Sequence, residues 1–296
     1  MTTTDAVPTS QRIRKVDATP GPGRTRTSIT RRHTAIRAGV GYLLAAITVF
    51  PVVWMVIAAI KPPEEIFASL LPTRITLENF RYVLTEVPFL RYLANSAIVA
   101  TSVTVIALLF HSMAAYALAR LRFPFRGTIF AVIVGTLLVS LPVILVPLFL
   151  ITREMGIHDS YLGLIVPAIF NAFGIFLLRQ FYLGIPKELE EAAVVDGAGY
   201  WRIYWSVVLP LSRPVLASLA VLFFLANWNA FLWPLTITQD PNLRVVQLGI
   251  SAFQGQYGSA WHYIMAASLL AAAPTIAAFM IGQRRLIDAI KTSGLK

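Results

Sequence analysis

The chain has 296 residues, of which 57% are hydrophobic and only 13% charged, against about 25% charged in ordinary soluble domains, and this excludes a normal soluble protein. It contains no cysteine, which excludes disulfides, thiol chemistry and cysteine metal sites. A formal net charge of +11 points toward nucleic acid only until its distribution along the chain is considered.

Residues 1–37 are rich in Thr, Pro, Gly and Arg with almost no apolar content. They cannot bury a core and are expected to form a disordered basic tail, either solvated or touching anionic headgroups. Charge-free stretches of roughly the 20 residues needed to span a bilayer follow at 38–60, 94–119, 127–152, 160–178, 214–239 and roughly 260–283. They predict an all-α integral membrane protein with six transmembrane helices, one membrane domain over 38–285 and a short tail, 286–296. The first apolar run is too long for a signal h-region and continues into Lys61-Pro62-Pro63, so no cleavable signal is expected. With the N-terminus in the cytoplasm, 19 of the 25 Lys/Arg lie inside and six outside, while acidic residues split seven and seven. The positive-inside rule then puts both termini in the cytoplasm, and the basic excess is a topology signal with no need of nucleic acid.

In chain order, Pro51 should kink the first span. Residues 64–93 form the largest outer connection, with a helix expected near 77–84; it suits an outer partner or a plain surface hairpin. The second span opens with Asn95-Ser96 and holds His111, a titratable group in the interior of an apolar stretch. An intramembrane histidine is a functional hypothesis by default, but no carboxylate lies near it in sequence, which favours a hydrogen-bonded structural role over a proton relay. Pro142 and Pro147 interrupt the third stretch, and Gly163, Pro167, Asn171 and Gly174 the fourth. Such breakers require neighbouring helices or a cavity to satisfy the freed backbone groups, so they read either as a mobile bundle around a path or as structural kinks.

The loop 184–213 is the longest charged, helix-forming segment between two apolar spans. Pro186 suits a first helical turn, Glu188, Glu190 and Glu191 suit the positive end of a helix dipole, and Gly197 is placed to close the helix at positive φ. Ala192 and Ala193 leave room for another surface to approach. Tyr200, Trp201, Tyr204 and Trp205 are ring types of the membrane–water boundary. The segment reads as a helix that docks a cytoplasmic partner, or as one that only joins two spans. The fifth span carries Asn227-Trp228-Asn229-Ala230-Phe231-Leu232-Trp233-Pro234, in which amide and indole groups suit a polyhydroxylated solute, although Trp233-Pro234 also fits an outer aromatic belt. Residues 239–259 read as a polar outer loop, and Pro274 interrupts the sixth span.

Catalytic signatures are absent: there is no GxxxxGK[ST] loop, no H-E-x-x-H, no nucleophile elbow and no pair of intramembrane carboxylates. No catalytic residue and no metal site is expected. Uncharged spans also argue against ion-coupled transport, so energy for uphill movement must enter through another subunit, most naturally at the acidic segment 188–196.

Glu191-Ala192-Ala193, Asp196-Gly197-Ala198, Leu209-Pro210-Leu211 and Pro214 together resemble the EAA loop of binding-protein-dependent ABC importer permeases, with Tyr204 where that family usually has Phe. The ARLRFPFRG stretch at 119–127 is similar to the family's second inner loop, and residues 228–234 resemble its WN-x-F-LWP segment, with Ala230 replacing the usual acidic residue. The resemblance runs from about Gly41 to the C-terminus and is nearest the maltose-type second permease of the carbohydrate-uptake branch. It implies a type I ABC importer permease fold in a bacterial cytoplasmic membrane. It implies a second permease subunit, two ATPase subunits holding ATP-Mg, and an extracytoplasmic solute-binding protein delivering a sugar or sugar-like solute; no cofactor is implied on this chain. It further implies that Glu188, Glu191, Ala192, Ala193, Asp196, Gly197 and Ala198 form the coupling helix seated on the ATPase, with Glu191 paired to a basic residue there. Asn171, Asn227, Trp228 and Asn229 are candidates for the solute path. The alternative from another class is a secondary carrier or channel for a small polar solute, acting without an ATPase.

Overall fold

The computed structural model describes residues 26–255 and 258–293. The chain divides into two units, Met1–Val53 and Trp54–Lys296. In the first, the described part is helix α1 (Arg26–Ala59) as far as Val53, with positions 37–53 exposed throughout. The tail expected over 1–37 falls outside the described residues as far as position 25, and helical backbone already begins at Arg26, ahead of the apolar run. Pro51 lies inside α1 without ending it.

In the second unit the connection after α1 is tied down. Asn79 donates through Nδ2 to the carbonyls of Ala59 and Lys61, both at 2.8 Å, satisfying groups that a helix end leaves orphaned. Lys61 is fully buried; its Nζ donates to the carbonyls of Ser69 at 2.5 Å and Leu70 at 3.2 Å and lies 5.0 Å from the Trp54 ring centroid. The Thr73 amide and hydroxyl donate to the Glu65 carboxylate, bonds that hold Glu65 below its ordinary pKa. Helix α2 (Glu78–Thr85) follows, one residue beyond its expected position.

Helix α3 (Phe89–Arg120) runs 32 residues without Gly or Pro and is the hub of this unit. Its buried stripe, which includes Ser96, Ala100, Thr104, Ala107, Ser112, Ala115 and Ala119, is built from small residues that let neighbouring backbones come close where lipid supplies no hydrophobic drive. Against it pack helices α6 (Tyr161–Ile169), α7 (Ala172–Leu183) and α11 (Arg213–Trp228), and α11 in turn packs on α14 (Trp261–Ser293).

The apolar stretches and the helices do not coincide one to one. Among the described residues, three helices are unbroken candidates for crossing a membrane: Arg37–Ala59, Phe89–Arg120 and Trp261–Met280. Three further candidates are bent pairs, each a broken span or a re-entrant loop. Helix α4 (Arg126–Gly135) with its following turn meets α5 (Leu141–Glu154) at 106°, α6 meets α7 at 41°, and the segment Tyr200–Leu211, which holds α9 (Tyr200–Ile203) and α10 (Leu209–Leu211), meets α11 at 74°. The six expected spans are reached only if each bent pair is one span. The stretch 214–239 is not a single helix either: α11 ends at Trp228, and α12 (Leu232–Ile237) packs on α5 and α6. The expected outer loop 239–259 contains a short helix, α13 (Val246–Ser251), with Val246, Leu248 and Gly249 buried, and a two-stranded turn pairing Gln254–Gly255 with Gly258–Ser259.

At Pro167 and at the α6–α7 break the freed backbone groups find partners, as membrane backbone must. Pro167 lacks the N–H that would bond the Gly163 carbonyl four residues earlier, and Trp233 Nε1 donates to that carbonyl at 3.0 Å. At the α6–α7 break, Asn171 Oδ1 accepts the Phe173 amide at 2.9 Å as the α7 N-cap. This leaves the Ile169 carbonyl without its helical donor, and His111 Nε2 sits 2.9 Å from it. With Nε2–H as donor, His111 joins α3 to the break. The structural reading of His111 matches this arrangement.

Candidate coupling surface

Helix α8 (Glu188–Val195) is organised by its two ends. At the start, the Lys187 carbonyl accepts the amides of Glu190 and Glu191, both at 2.9 Å, and three glutamates occupy the first turn, where the dipole favours negative charge. Pro186 stands just before the N-cap residue Lys187 instead of inside the first turn. At the other end the Ala198 amide donates to the Ala193 carbonyl and the Gly197 amide to the Val194 carbonyl, each at 2.9 Å, with Gly197 at φ +78. That bond pair is a Schellman closure. Nothing lies within 4 Å of the position a Gly197 Cβ would take, so the glycine answers a backbone requirement alone.

Helical spacing sorts the side chains. Glu188, Glu191, Ala192 and Val195 share one stripe and are all exposed, Val195 by 87%, with Leu189 and Val194 exposed on its flanks. Glu191 forms no ion pair among the described residues; Asp196 and Gly197 continue the exposed surface. Ala193 and Ala198 do not belong to it. Both turn inward against a buried cluster that includes Tyr116, Tyr182, Ile185, Ile203 and Tyr204. Ala193 and Ala198, expected on the partner surface, are half-buried against their own chain, where their small size lets α8 lie close, and of the three alanines Ala192 is the exposed one.

Beneath α8 lies a polar site that sequence reasoning passed over. Arg120, the last residue of α3, is held 2.9 Å from Glu190 (Nε to Oε1), with side chains 7% and 16% exposed. The angle is too bent for a hydrogen bond at those two atoms, so the contact is Coulombic. Nη2 of Arg120 donates to the Tyr182 carbonyl at 2.6 Å and to the Ile185 carbonyl. Burial pushes the Glu190 carboxyl above its ordinary value, while Arg120 and then Lys187 pull the other way. Ser112 Oγ accepts from the Tyr204 hydroxyl at 2.8 Å and lies 2.6 Å from the Tyr182 hydroxyl, linking α3, α7 and the π-helical turn Tyr204–Val208. Tyr204 is buried instead of lying at a boundary; Tyr200, Trp201 and Trp205 are exposed.

The solute-path candidates fare unevenly. Trp228 is corrected: it is 2% exposed, stacks on Phe224 and donates to the Ala271 carbonyl at 3.2 Å, so it is core. Asn171 is an exposed N-cap. Asn227 donates to the Phe223 carbonyl one turn back at 2.8 Å. Asn229 is exposed, and its Oδ1 accepts from Gln247 at 3.2 Å. Trp233 and Pro234 are buried, which removes them from an outer aromatic belt. Among the described residues no group of three or more His, Cys, Asp or Glu is placed to hold a metal ion.

The model for the family described as binding-protein-dependent transport system inner membrane component matches residues 107–292. The chain is 32% identical over 259 residues to the arabinooligosaccharides transport system permease protein AraQ of Halalkalibacterium halodurans, covering 86% of this chain and 93% of that protein. It is 32% identical over 273 residues to the diacetylchitobiose uptake system permease protein NgcG of Streptomyces coelicolor, covering 90% of each. It is 33% identical over 272 residues to the sn-glycerol-3-phosphate transport system permease protein UgpE of Escherichia coli O1:K1, covering 88% and 95%. A crystal structure of a bacterial ABC transporter involved in the import of the acidic polysaccharide alginate contains a chain of the same fold, with a TM-score of 0.77 over 90% of this chain and 99% of that one at 24% identity.

Proposed function

The chain belongs to the family of inner membrane components of binding-protein-dependent transport systems, and from that premise we propose that it is one permease subunit of an ATP-driven importer for a sugar or sugar-like solute. The observation that carries the proposal is the exposed stripe of α8, Glu188, Glu191, Ala192 and Val195, on a short helix closed at both ends. A bilayer offers such an acidic and apolar surface no partner, whereas a protein cleft with a basic residue would bury Val195 and pair Glu191. The cleft belongs to an ATPase subunit. This chain supplies no catalytic group; ATP-Mg is bound and hydrolysed on two such subunits, and a second permease completes the path. Both termini face the cytoplasm, and a binding protein delivers solute on the opposite side. The named relatives are permeases for arabino-oligosaccharides, diacetylchitobiose and glycerol phosphate, which supports a polyhydroxylated cargo. Asn229, exposed and accepting from the half-buried Gln247, is the amide of this chain we assign to meet it. ATP-driven closure of the ATPases displaces α8, and the bent helix pairs let the membrane unit alternate between faces.

The test is gentle detergent extraction from the native membrane, identification of co-purifying chains by mass, and cross-linking from Val195→Cys. Recovery of an ATPase and a different permease, with the cross-link on the ATPase, is the expected result. A folded chain recovered alone, with no cross-link, overturns the reading in favour of an independent carrier or channel.

A further inference from the structure

Arg120 binds three elements at once. It ends α3, the helix on which α6, α7 and α11 pack. Its Nη2 donates to the carbonyls of Tyr182 and Ile185, at and just beyond the C-terminal end of α7. Its Nε faces Glu190 on the inner side of α8. Among the described residues, no other side chain of α8 forms an ion pair; Ala193 adds an apolar contact with the buried cluster. Apolar contact between α8 and the cluster beneath it can slide, because dispersion is non-directional. A charge pair in a nearly water-free setting resists separation far more steeply. The guanidinium is planar and rigid, and its other arm is fixed on two backbone carbonyls, so force on Glu190 is passed to α7 and α3 together.

We propose that Arg120, through Glu190, is the positioning residue that converts displacement of α8 into movement of the membrane-spanning helices. It rests on the reading of α8 as the ATPase-docking helix and adds the route by which that docking reaches the bundle. Arg120 itself touches neither ATPase nor solute.

The experiment uses the complete importer in liposomes, with binding protein and solute, comparing wild type with Glu190→Gln, Arg120→Lys and Arg120→Gln. Three quantities are read: ATPase recovered with the complex, ATP hydrolysed, and solute moved per ATP. Glu190→Gln leaves the carbonyl bonds intact and the outer stripe untouched, so the complex should assemble and hydrolyse ATP while solute moved per ATP falls about tenfold, a typical coupling between sites. Arg120→Lys keeps a cation but not the fork and should fall between Glu190→Gln and wild type. The Arg120→Gln, Glu190→Gln double variant should be no worse than Arg120→Gln alone, because the two groups act as one unit. Unchanged solute per ATP in an assembled Glu190→Gln complex overturns the proposal, as does loss of the ATPase from that complex, which would make Glu190 a docking residue. If Arg120→Gln fails to assemble, Glu190→Gln alone decides. A wild-type chain that carries no ATPase refutes the importer reading itself, a result separate from either of these.

Discussion

Substitution at Gly197 separates backbone conformation from size. The residue sits at φ +78 with open space where a Cβ would go, so any cost arises from the left-handed conformation and not from a clash. For an ordinary L-residue that conformation costs about 1–2 kcal/mol, and a β-branched side chain makes it a marked outlier. Escape from αL opens the two bonds to Ala193 and Val194, each worth about 1 kcal/mol. Gly197→Ala should therefore destabilise the closed end of α8 by about 1 kcal/mol and Gly197→Val by about 2–3 kcal/mol. An eight-residue helix has no surplus with which to absorb the larger loss, since isolated helices below about 12 residues are already marginal. Asn tolerates αL, so Gly197→Asn is the control. Hydrogen exchange at the Ala198 amide and solute uptake by the reconstituted importer should rank glycine and Asn together, then Ala, then Val, with uptake by Gly197→Val down at least about tenfold, as a loss of 1.4 kcal/mol or more implies. Uptake by Gly197→Val at the wild-type rate, or Asn as harmful as Val, would refute the reasoning, the second by making size the determinant after all.

Trp233→Phe removes the donor to the carbonyl that Pro167 leaves free and should cost about 1–3 kcal/mol, the price of a buried unsatisfied group, read as a lower melting temperature in detergent. Adding Pro167→Ala, which restores the helical N–H, should recover part of that loss; strict additivity of the two would contradict the pairing. Gly174→Ala would set a Cβ against His111 Nδ1 and 2.7 Å from Phe223 Cζ, displacing His111 from the Ile169 carbonyl. Overpacking of this kind costs about 1–3 kcal/mol, and a melting temperature equal to wild type would show that the break does not depend on His111. Because burial raises the Glu190 pKa, the folded protein takes up that proton at a higher pH than the unfolded chain does. Wild type should therefore gain stability relative to Glu190→Gln as pH falls from the raised value toward 4.5, keep the gain below it, and lose it as pH rises again. Melting curves of the two proteins across that window check the sign.

Local features of α8 were legible because their causes are local. Three acidic residues at a helix start and a glycine at its end act through the dipole and through φ, and neither depends on distant partners. The faces of Ala192 and Ala193 were not legible, since both are small and apolar, and only the cluster beneath the helix distinguishes inward from outward. Trp228 and Trp233 misled for a related reason. An indole in an apolar run suits a boundary, a cavity or a buried carbonyl equally well, and the Ala271 and Gly163 carbonyls that claim them are 43 and 70 residues away.

By itself the sequence determined the membrane setting, the positions of the apolar stretches, an acidic helix between Pro186 and Gly197, and the need for positive φ at Gly197. Each follows from transfer free energy or from backbone sterics within a few residues. Only the tertiary structure decided where the spans bend, which carbonyls Pro167 and the Asn171 cap leave for Trp233 and His111, and that Arg120 meets Glu190 across 70 residues of chain. Those outcomes depend on which unsatisfied groups are brought together by packing, and no local pattern of residues encodes that.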